Sequence, residues 1–347
     1  MEVKYTKERR TVRMRWLGKT GLQVSELCLG TATFGGVGKF KMSGDLDQKG
    51  ANRIVDMAFD AGINFFNTAE IYSDGVAEEM LGKALGNRRK DVIVISKVKQ
   101  NGTPGKNNGG LSRKHIIEAC EASLKRIGTD YIDIYELHGI DHNTSLEQTM
   151  RAMDDLVTQG KVRYIGCSNF NGWELMKCIA ISEKHGWNKF ITLESMYSLA
   201  ARGLEYELIP ACLDQGVVVL SYSPLHAGLL TGKYRRDKPW PAGTRIVSPE
   251  EAGTWKFNPE ILFGIIDELD SIAKERNVSV AQVALNWVLQ KPGICSIIFA
   301  ARNAAQAEEN LKSAGWQMTP EEVARLDAVS KLERIYPYAP PNPNSKI

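Results

Sequence analysis

Eight short apolar, β-branched runs, each set off from the next by a stretch of helical character, leave this chain few folds to choose from. The runs are Leu27–Gly30, Asn64–Phe66, Val92–Ser96, Ile132–Leu137, Tyr164–Cys167, Ile191–Leu193, Val217–Tyr222 and Ser296–Phe299. Between them, apolar residues recur at helical spacing over Gly50–Ala61, Val76–Leu85, Arg113–Ile127, Leu146–Gln159, Trp173–His185, Arg202–Gln215 and Ala304–Ala314. Such alternation predicts a parallel sheet with crossover helices, and eight units close most naturally into a (β/α)8 TIM barrel. A doubly wound open sheet would want a Gly-rich turn after the first strand and an acidic residue about 20 positions later. LGTATFGG, the nearest stretch, lacks that spacing and leads into a loop.

The interval from Tyr222 to Ser296 is longer than a barrel repeat needs. Lys233–Asn258 reads as loop, followed by extra helices over Pro259–Asn277 and Ser279–Gln290, the second capped by Ser279. WLGKTGL, within Arg13–Val24, suits a small N-terminal hairpin ahead of the first strand, and the proline-rich tail 336–347 suits a surface path. No linker divides the chain, so residues 1–347 read as one domain.

Charge and cysteine usage exclude several functions. Lys and Arg number 44 against 41 Asp and Glu, a net charge of +3, which supports neither nucleic-acid nor membrane-surface binding. No run is long and apolar enough for a membrane span, and the basic opening lacks the apolar stretch of a signal peptide. The six cysteines form no CxxC pair and never cluster with histidine at ligand spacing, so no metal site is expected and reduced thiols in the cytoplasm are. Nothing in the pattern fixes an oligomeric state.

Barrel chemistry sits at the C-terminal ends of the strands. There the chain carries Asn67, with Tyr72 in the loop beyond, Ser96–Lys97, His138, Ser168–Asn169, Glu194 and Tyr222–Ser223. Tyrosine, lysine and histidine together suit carbonyl reduction, where the oxygen gains negative charge and needs a proton. A phenol is a weak acid unless its anion is stabilised. Lys97 is expected to lower the Tyr72 pKa, and His138 to orient the carbonyl.

The stretches LGKTGLQVSELCLGT, GINFFNTAEIYSDGVAEEMLGKAL, VISKV, LKRIGTDYIDIYELHGID, GKVRYIGCSNF, YSPLHAGLLTGKY and ARNAAQAEEN span residues 16–314. Through them the chain resembles the aldo-keto reductase superfamily, and most of all the branch holding bacterial general reductases and voltage-gated potassium channel β-subunits. The resemblance implies an NADP(H)-dependent oxidoreductase acting on an aldehyde, ketone or oxidised sugar, or on the matching alcohol. It implies a tetrad of Tyr72, Lys97, His138 and, where the family has aspartate, Asn67. An amide there orients Lys97 without neutralising it.

The resemblance also implies a nicotinamide site at Ser168, Asn169 and Glu194, the last usually glutamine, with Gly30, Thr31 and Ala32 after the first strand. Tyr222 falls on the family's stacking aromatic, and Ser223, Pro224, Leu225 and Gly228 on its pyrophosphate loop. Lys233 and Arg245 fall where the family closes over the phosphates. Ala300, Arg302, Gln306, Glu309 and Asn310 match the adenosine segment, where Arg302 and the helix start near Asn303 favour a 2′-phosphate and hence NADP over NAD. The two departures together leave two readings: negative charge moved from the lysine toward the nicotinamide, or a Glu194 that is protonated or turned away and only exchanges one hydrogen bond for another.

A second reading is a cofactor-binding regulatory subunit with residual redox activity. His138, where the channel subunits carry asparagine, and the short N-terminal extension argue against it. The loops Lys99–Gly110 and Trp240–Trp255 are the least family-like parts and are expected to set substrate choice, with Trp240, Trp255 and Tyr336 as candidate pocket aromatics beside equally good core positions.

Overall fold

The computed structural model describes residues 12–99, 107–236, 238–246, 248, 258–333 and 335–338. A hairpin of β1 (Met14–Trp16) and β2 (Gln23–Ser25) comes first. Eight parallel strands then close into a barrel: β3 (Leu27–Gly30), β4 (Phe65–Asn67), β5 (Ile93–Val98), β6 (Ile132–Leu137), β7 (Val162–Ser168), β8 (Phe190–Met196), β9 (Val218–Tyr222) and β10 (Ile294–Phe299). Each strand pairs with its sequence neighbours, and β10 returns to pair with β3 through Ile297↔Leu27 and Phe299↔Leu29. All eight apolar runs are strands, with ends displaced by up to three residues.

The side-chain period of two sorts each strand into an outward and an inward set. Inward residues Phe65, Ile95, Ile134, Leu220 and Ile298 pack together inside the barrel. The hairpin closes its lower end: Leu17 and Val24 belong to that interior cluster and are fully buried. Arg15 fixes the hairpin from outside, donating to the carbonyls of Ile294 at 3.0 Å and Leu289 at 2.8 Å and to buried Glu26 at 3.0 Å.

The outward residues meet the helices α1 (Gln48–Asp60), α2 (Val76–Leu85), α3 (Arg113–Ile127), α4 (Leu146–Thr158), α5 (Gly172–His185), α6 (Leu208–Gln215), α7 (Pro259–Arg276), α8 (Val280–Leu289), α9 (Ala304–Leu311) and α10 (Pro320–Val329). Ser279 caps α8, accepting from the Gln282 amide. Among the described residues no helix is long and apolar enough to cross a membrane.

Two helical expectations needed correction. Arg202–Gln215 is broken into a short turn at Gly203–Glu205 and α6. A continuous helix would bury Pro210 in its interior and lose a backbone bond, whereas a start at Leu208 leaves Pro210 in the first turn. Helix α10 was not anticipated, although Thr319 and Glu322 form a capping box around Pro320 at its start.

Candidate active site

The inward register carries the polar groups upward through the barrel. Asn67 follows Phe65, Lys97 follows Ile95, and Glu136 and then His138 follow Ile134, so all four extend the same interior rows. Lys97 is fully buried. Its Nζ donates to Asn67 Oδ1 at 2.7 Å, to the Thr68 carbonyl at 3.0 Å and to Tyr72 Oη at 3.4 Å. The same ammonium pairs with Glu194 Oε2 at 3.2 Å, and Asn67 Nδ2 donates to that carboxylate oxygen at 2.6 Å.

This overturns the expectation of an unneutralised lysine. Strands β4 and β8 stand four places apart around an eight-stranded ring, hence opposite each other. Across so narrow an interior, a carboxylate from β8 reaches the lysine that an aspartate at position 67 would otherwise meet. Burial alone disfavours the ammonium, but Glu194, followed by Tyr72 and Glu136, more than offsets that and raises the Lys97 pKa.

Tyr72 stands in a tight turn, Tyr72–Gly75, whose next two residues, Ser73 (φ 49°) and Asp74 (φ 55°), adopt left-handed backbone. That is a costly conformation for residues with a Cβ. Ser73 Oγ helps to hold it, donating to the Phe34 carbonyl at 2.6 Å. The Tyr72 ring lies 4.8 Å from Phe40 and 5.9 Å, edge-on, from His138. Its pKa is raised, because burial outweighs the pull of Lys97. The expected lowering of the phenol is therefore corrected: the ammonium moderates a shift that desolvation dominates. His138, half-buried at the cavity wall, is pulled down to about 3 by burial and by Lys97 and Lys99, so it is a neutral imidazole at physiological pH.

These groups form the floor of a cavity of about 650 Å³ at the C-terminal end of the barrel. The wall brings together Asn67, Tyr72, His138, Gly30, Ala32, Ser168, Asn169, Glu194, Tyr222, Ser223, Pro224, Leu225 and Gly228 with Lys233, Arg245, Ala300, Arg302, Gln306, Glu309 and Asn310. Two expected residues stay behind it. Lys97 is sealed beneath, and Thr31 is fully buried with its hydroxyl on Thr68 Oγ1 at 2.8 Å. Tyr222 Oη donates to Asn169 Oδ1 at 2.8 Å, and Asn169 Nδ2 donates to the His138 carbonyl at 3.2 Å, tying three strand ends into one ledge.

At the far end three cations converge. Burial and then Arg302 lower the pKa of both Lys233 and Arg245, the crowding expected of a site for an anion. Gly228 (φ 96°) turns beneath Lys233 Nζ, which would stand 3.3 Å from a Cβ there. Arg302 is not wholly available, since Nε donates to the Ser43 carbonyl at 3.1 Å and Nη2 to the Met42 carbonyl at 2.7 Å. The start of α9 is also partly engaged: Asn303 accepts from the Gln306 amide, and Gln306 Oε1 from the Arg302 amide.

Sequence reasoning missed Phe40 and Ser43 in the wall and Glu136 beneath it. Glu136 was detectable as a charged residue in the inward register of an apolar strand. Of the candidate aromatics, Trp240 is not in the wall and packs edge-on to Tyr234 at 5.1 Å, Tyr336 is 98% exposed, and Trp255 lies outside the described residues. Much of Lys99–Gly110 lies outside them too.

Comparison with known proteins agrees with this architecture. The family model described as "Aldo/keto reductase family" matches residues 26–331. Versiconal hemiacetal acetate reductase of Aspergillus parasiticus is 33% identical over 92% of this chain and 98% of its own length. The uncharacterized oxidoreductase YrpG of Bacillus subtilis is 37% identical over 86% and 90%. A probable voltage-gated potassium channel subunit beta of Arabidopsis thaliana is 33% identical over 95% and 98%. A redox function accords with this kinship, and the chain belongs to the aldo/keto reductase family.

Proposed function

We propose that this protein is an NADP(H)-dependent oxidoreductase that interconverts a small carbonyl compound and its alcohol. The observation that carries the reading is the buried contact of Tyr72 Oη with Lys97 Nζ at 3.4 Å, opening onto a cavity whose other end is cationic.

The cavity residues fit a phosphorylated dinucleotide. Asn169 and Ser168 offer polar edges beside the Tyr222 ring, the Ser223–Gly228 turn offers a backbone cradle, and Lys233, Arg245 and Arg302 match phosphate charge. A reduced nicotinamide held by these residues would supply the hydride for the carbonyl carbon. Tyr72 donates the proton to the carbonyl oxygen, and the phenolate left behind faces the Lys97 ammonium. His138, neutral, donates a hydrogen bond that holds the oxygen toward Tyr72. Lys97 is sealed from the cavity, so it acts through Tyr72. In the oxidative direction the same groups run in reverse, with the phenolate accepting the alcohol proton.

The test is NADPH oxidation with a panel of aldehydes, ketones and oxidised sugars, run beside cofactor binding by fluorescence. Turnover with at least one carbonyl class supports the reading. Tight NADPH binding with no more than residual turnover on any class would replace it with a cofactor-binding regulatory subunit.

A further inference from the structure

Lys97 is an ammonium with no exposure to water, and a buried charge without a partner costs several kcal/mol. Its counter-charge comes from the opposite wall of the barrel. Glu194 Oε2 stands 3.2 Å from Nζ, and Asn67 joins the two, its carbonyl oxygen on the ammonium at 2.7 Å and its amide nitrogen on the carboxylate at 2.6 Å. The amide can satisfy both partners in one orientation only, because a flipped Asn67 would turn its NH2 toward the ammonium and its oxygen toward the carboxylate. Three side chains therefore form a closed triangle under the phenol.

A second carboxyl lies behind the first. Glu136 is fully buried; its Oε1 accepts from Thr192 Oγ1 at 2.7 Å, while its Oε2 accepts no hydrogen bond. Burial, and then the Glu194 charge, push the Glu136 pKa well up, which favours its protonated form. The other titratable groups turned toward the triangle are Cys28, His138 and Tyr222, with Lys99 beyond His138.

We propose that Glu194 is a positioning residue for proton transfer: its ion pair with Lys97, clamped by Asn67, sets where the ammonium stands against the Tyr72 hydroxyl. The inference rests on the reading of Tyr72 as the acid of a carbonyl reductase. Its consequence is that carboxylate and amide are interchangeable between positions 67 and 194, provided that one of each remains.

The experiment compares wild type, Glu194→Gln, Asn67→Asp and the double variant Asn67→Asp/Glu194→Gln. Each is examined by pH–rate profile, by NADPH binding and by ultraviolet difference titration of the Tyr72 phenol, with Tyr72→Phe as the subtraction reference. In Glu194→Gln the ammonium loses its counter-charge and pulls harder on the phenol. The phenol titration and the alkaline limb of the profile should both move to lower pH, and kcat should fall about tenfold or more. Asn67→Asp sets two carboxylates against one ammonium and should move both in the opposite direction. The double variant keeps the formal charge, so it should fold even if Glu194→Gln does not. It should return the phenol titration to the wild-type position and kcat to within about threefold.

A Glu194→Gln variant with the wild-type phenol titration and pH profile would overturn the proposal. So would a folded, cofactor-binding double variant whose phenol titration stays away from that of wild type. The phenol titration needs no turnover, so an inactive wild type would remove the proposed function while the positioning role was still decided.

Discussion

Tyr72 Oη and Lys97 Nζ meet at 3.4 Å, yet the phenol is harder to ionise than a free tyrosine, because burial acts on it more strongly than the ammonium does. In the proposed reaction, a phenol held this way gives up its proton to a strongly basic oxygen, such as the one that forms as hydride arrives. Tyr72→Phe should leave NADPH affinity within about twofold while kcat for carbonyl reduction drops by about 10² or more. Unchanged turnover in single-cycle assays would remove Tyr72 from the acid role.

His138 stays neutral down to about pH 3, so kcat/KM should show no histidine limb between about pH 5 and 8. Stability carries a matching signature. A histidine whose folded pKa is depressed contributes stability that is present above its unfolded pKa of about 6.5 and is lost as pH falls from there toward the folded value. Thermal melts of His138→Gln should lose acid sensitivity in that window, while kcat/KM falls by about tenfold or more through lost orientation of the carbonyl. Identical melting curves at every pH would mean that His138 titrates normally.

Glu136 predicts the opposite sign. Its folded pKa is raised, so it costs stability above its unfolded pKa of about 4.3, and the cost grows as pH rises toward the folded value. Glu136→Gln should raise Tm at neutral pH by roughly 2 °C or more, and the gain should vanish near pH 4. A loss at pH 7 would show that Glu136 is ionised in the folded protein.

Arg302 donates to the Met42 and Ser43 carbonyls, so its removal also loosens the loop after β3. NADPH should bind at least about tenfold tighter than NADH, as a charged pair of roughly 1.5–3 kcal/mol allows. Arg302→Ala should weaken both cofactors and collapse their ratio. The ratio is the decisive reading, since loop loosening alone lowers both affinities equally. A preference that survives the substitution would place 2′-phosphate recognition elsewhere.

Two helix glycines should respond in opposite ways. A Cβ on Gly82 in α2 would stand 2.1 Å from the Ile127 carbonyl oxygen at the end of α3. Gly82→Ala should cost about 1–3 kcal/mol by forcing the two helices apart. Gly264 in α7 has nothing within 4 Å of an added Cβ, and Gly264→Ala should stabilise by up to about 1 kcal/mol. Denaturant melts of both variants check the pair, and a stabilised Gly82→Ala would mean that α2 and α3 separate freely.

The barrel was legible because strand and helix periods alternate eight times, and because strand ends such as Lys97 and Asn169 expose their chemistry in order. Separate residues of the site were legible for the same reason. The contact of Asn67 and Glu194 was not, since 127 residues separate them and barrel closure alone brings them together. Reading position 67 by itself suggested a missing charge. The inward register of β6 also went unread at Glu136, where period two would have placed a carboxyl inside the barrel. The break at Pro210 and the cap at Thr319 carried local signals that helical periodicity overrode.

Arg15 reaches carbonyls 274 and 279 positions further along the chain, at Leu289 and Ile294. During synthesis the hairpin leaves the ribosome long before the backbone it grips. The plug cannot seat on β10 until β10 exists, and β3 waits for the same strand to complete its pairing. The earlier segment is therefore fastened only once the later one arrives, and closing so long a loop is a slow event on the folding timescale. Until then Leu17 and Val24 have no barrel interior to enter, so the nascent chain carries its apolar lower seal exposed.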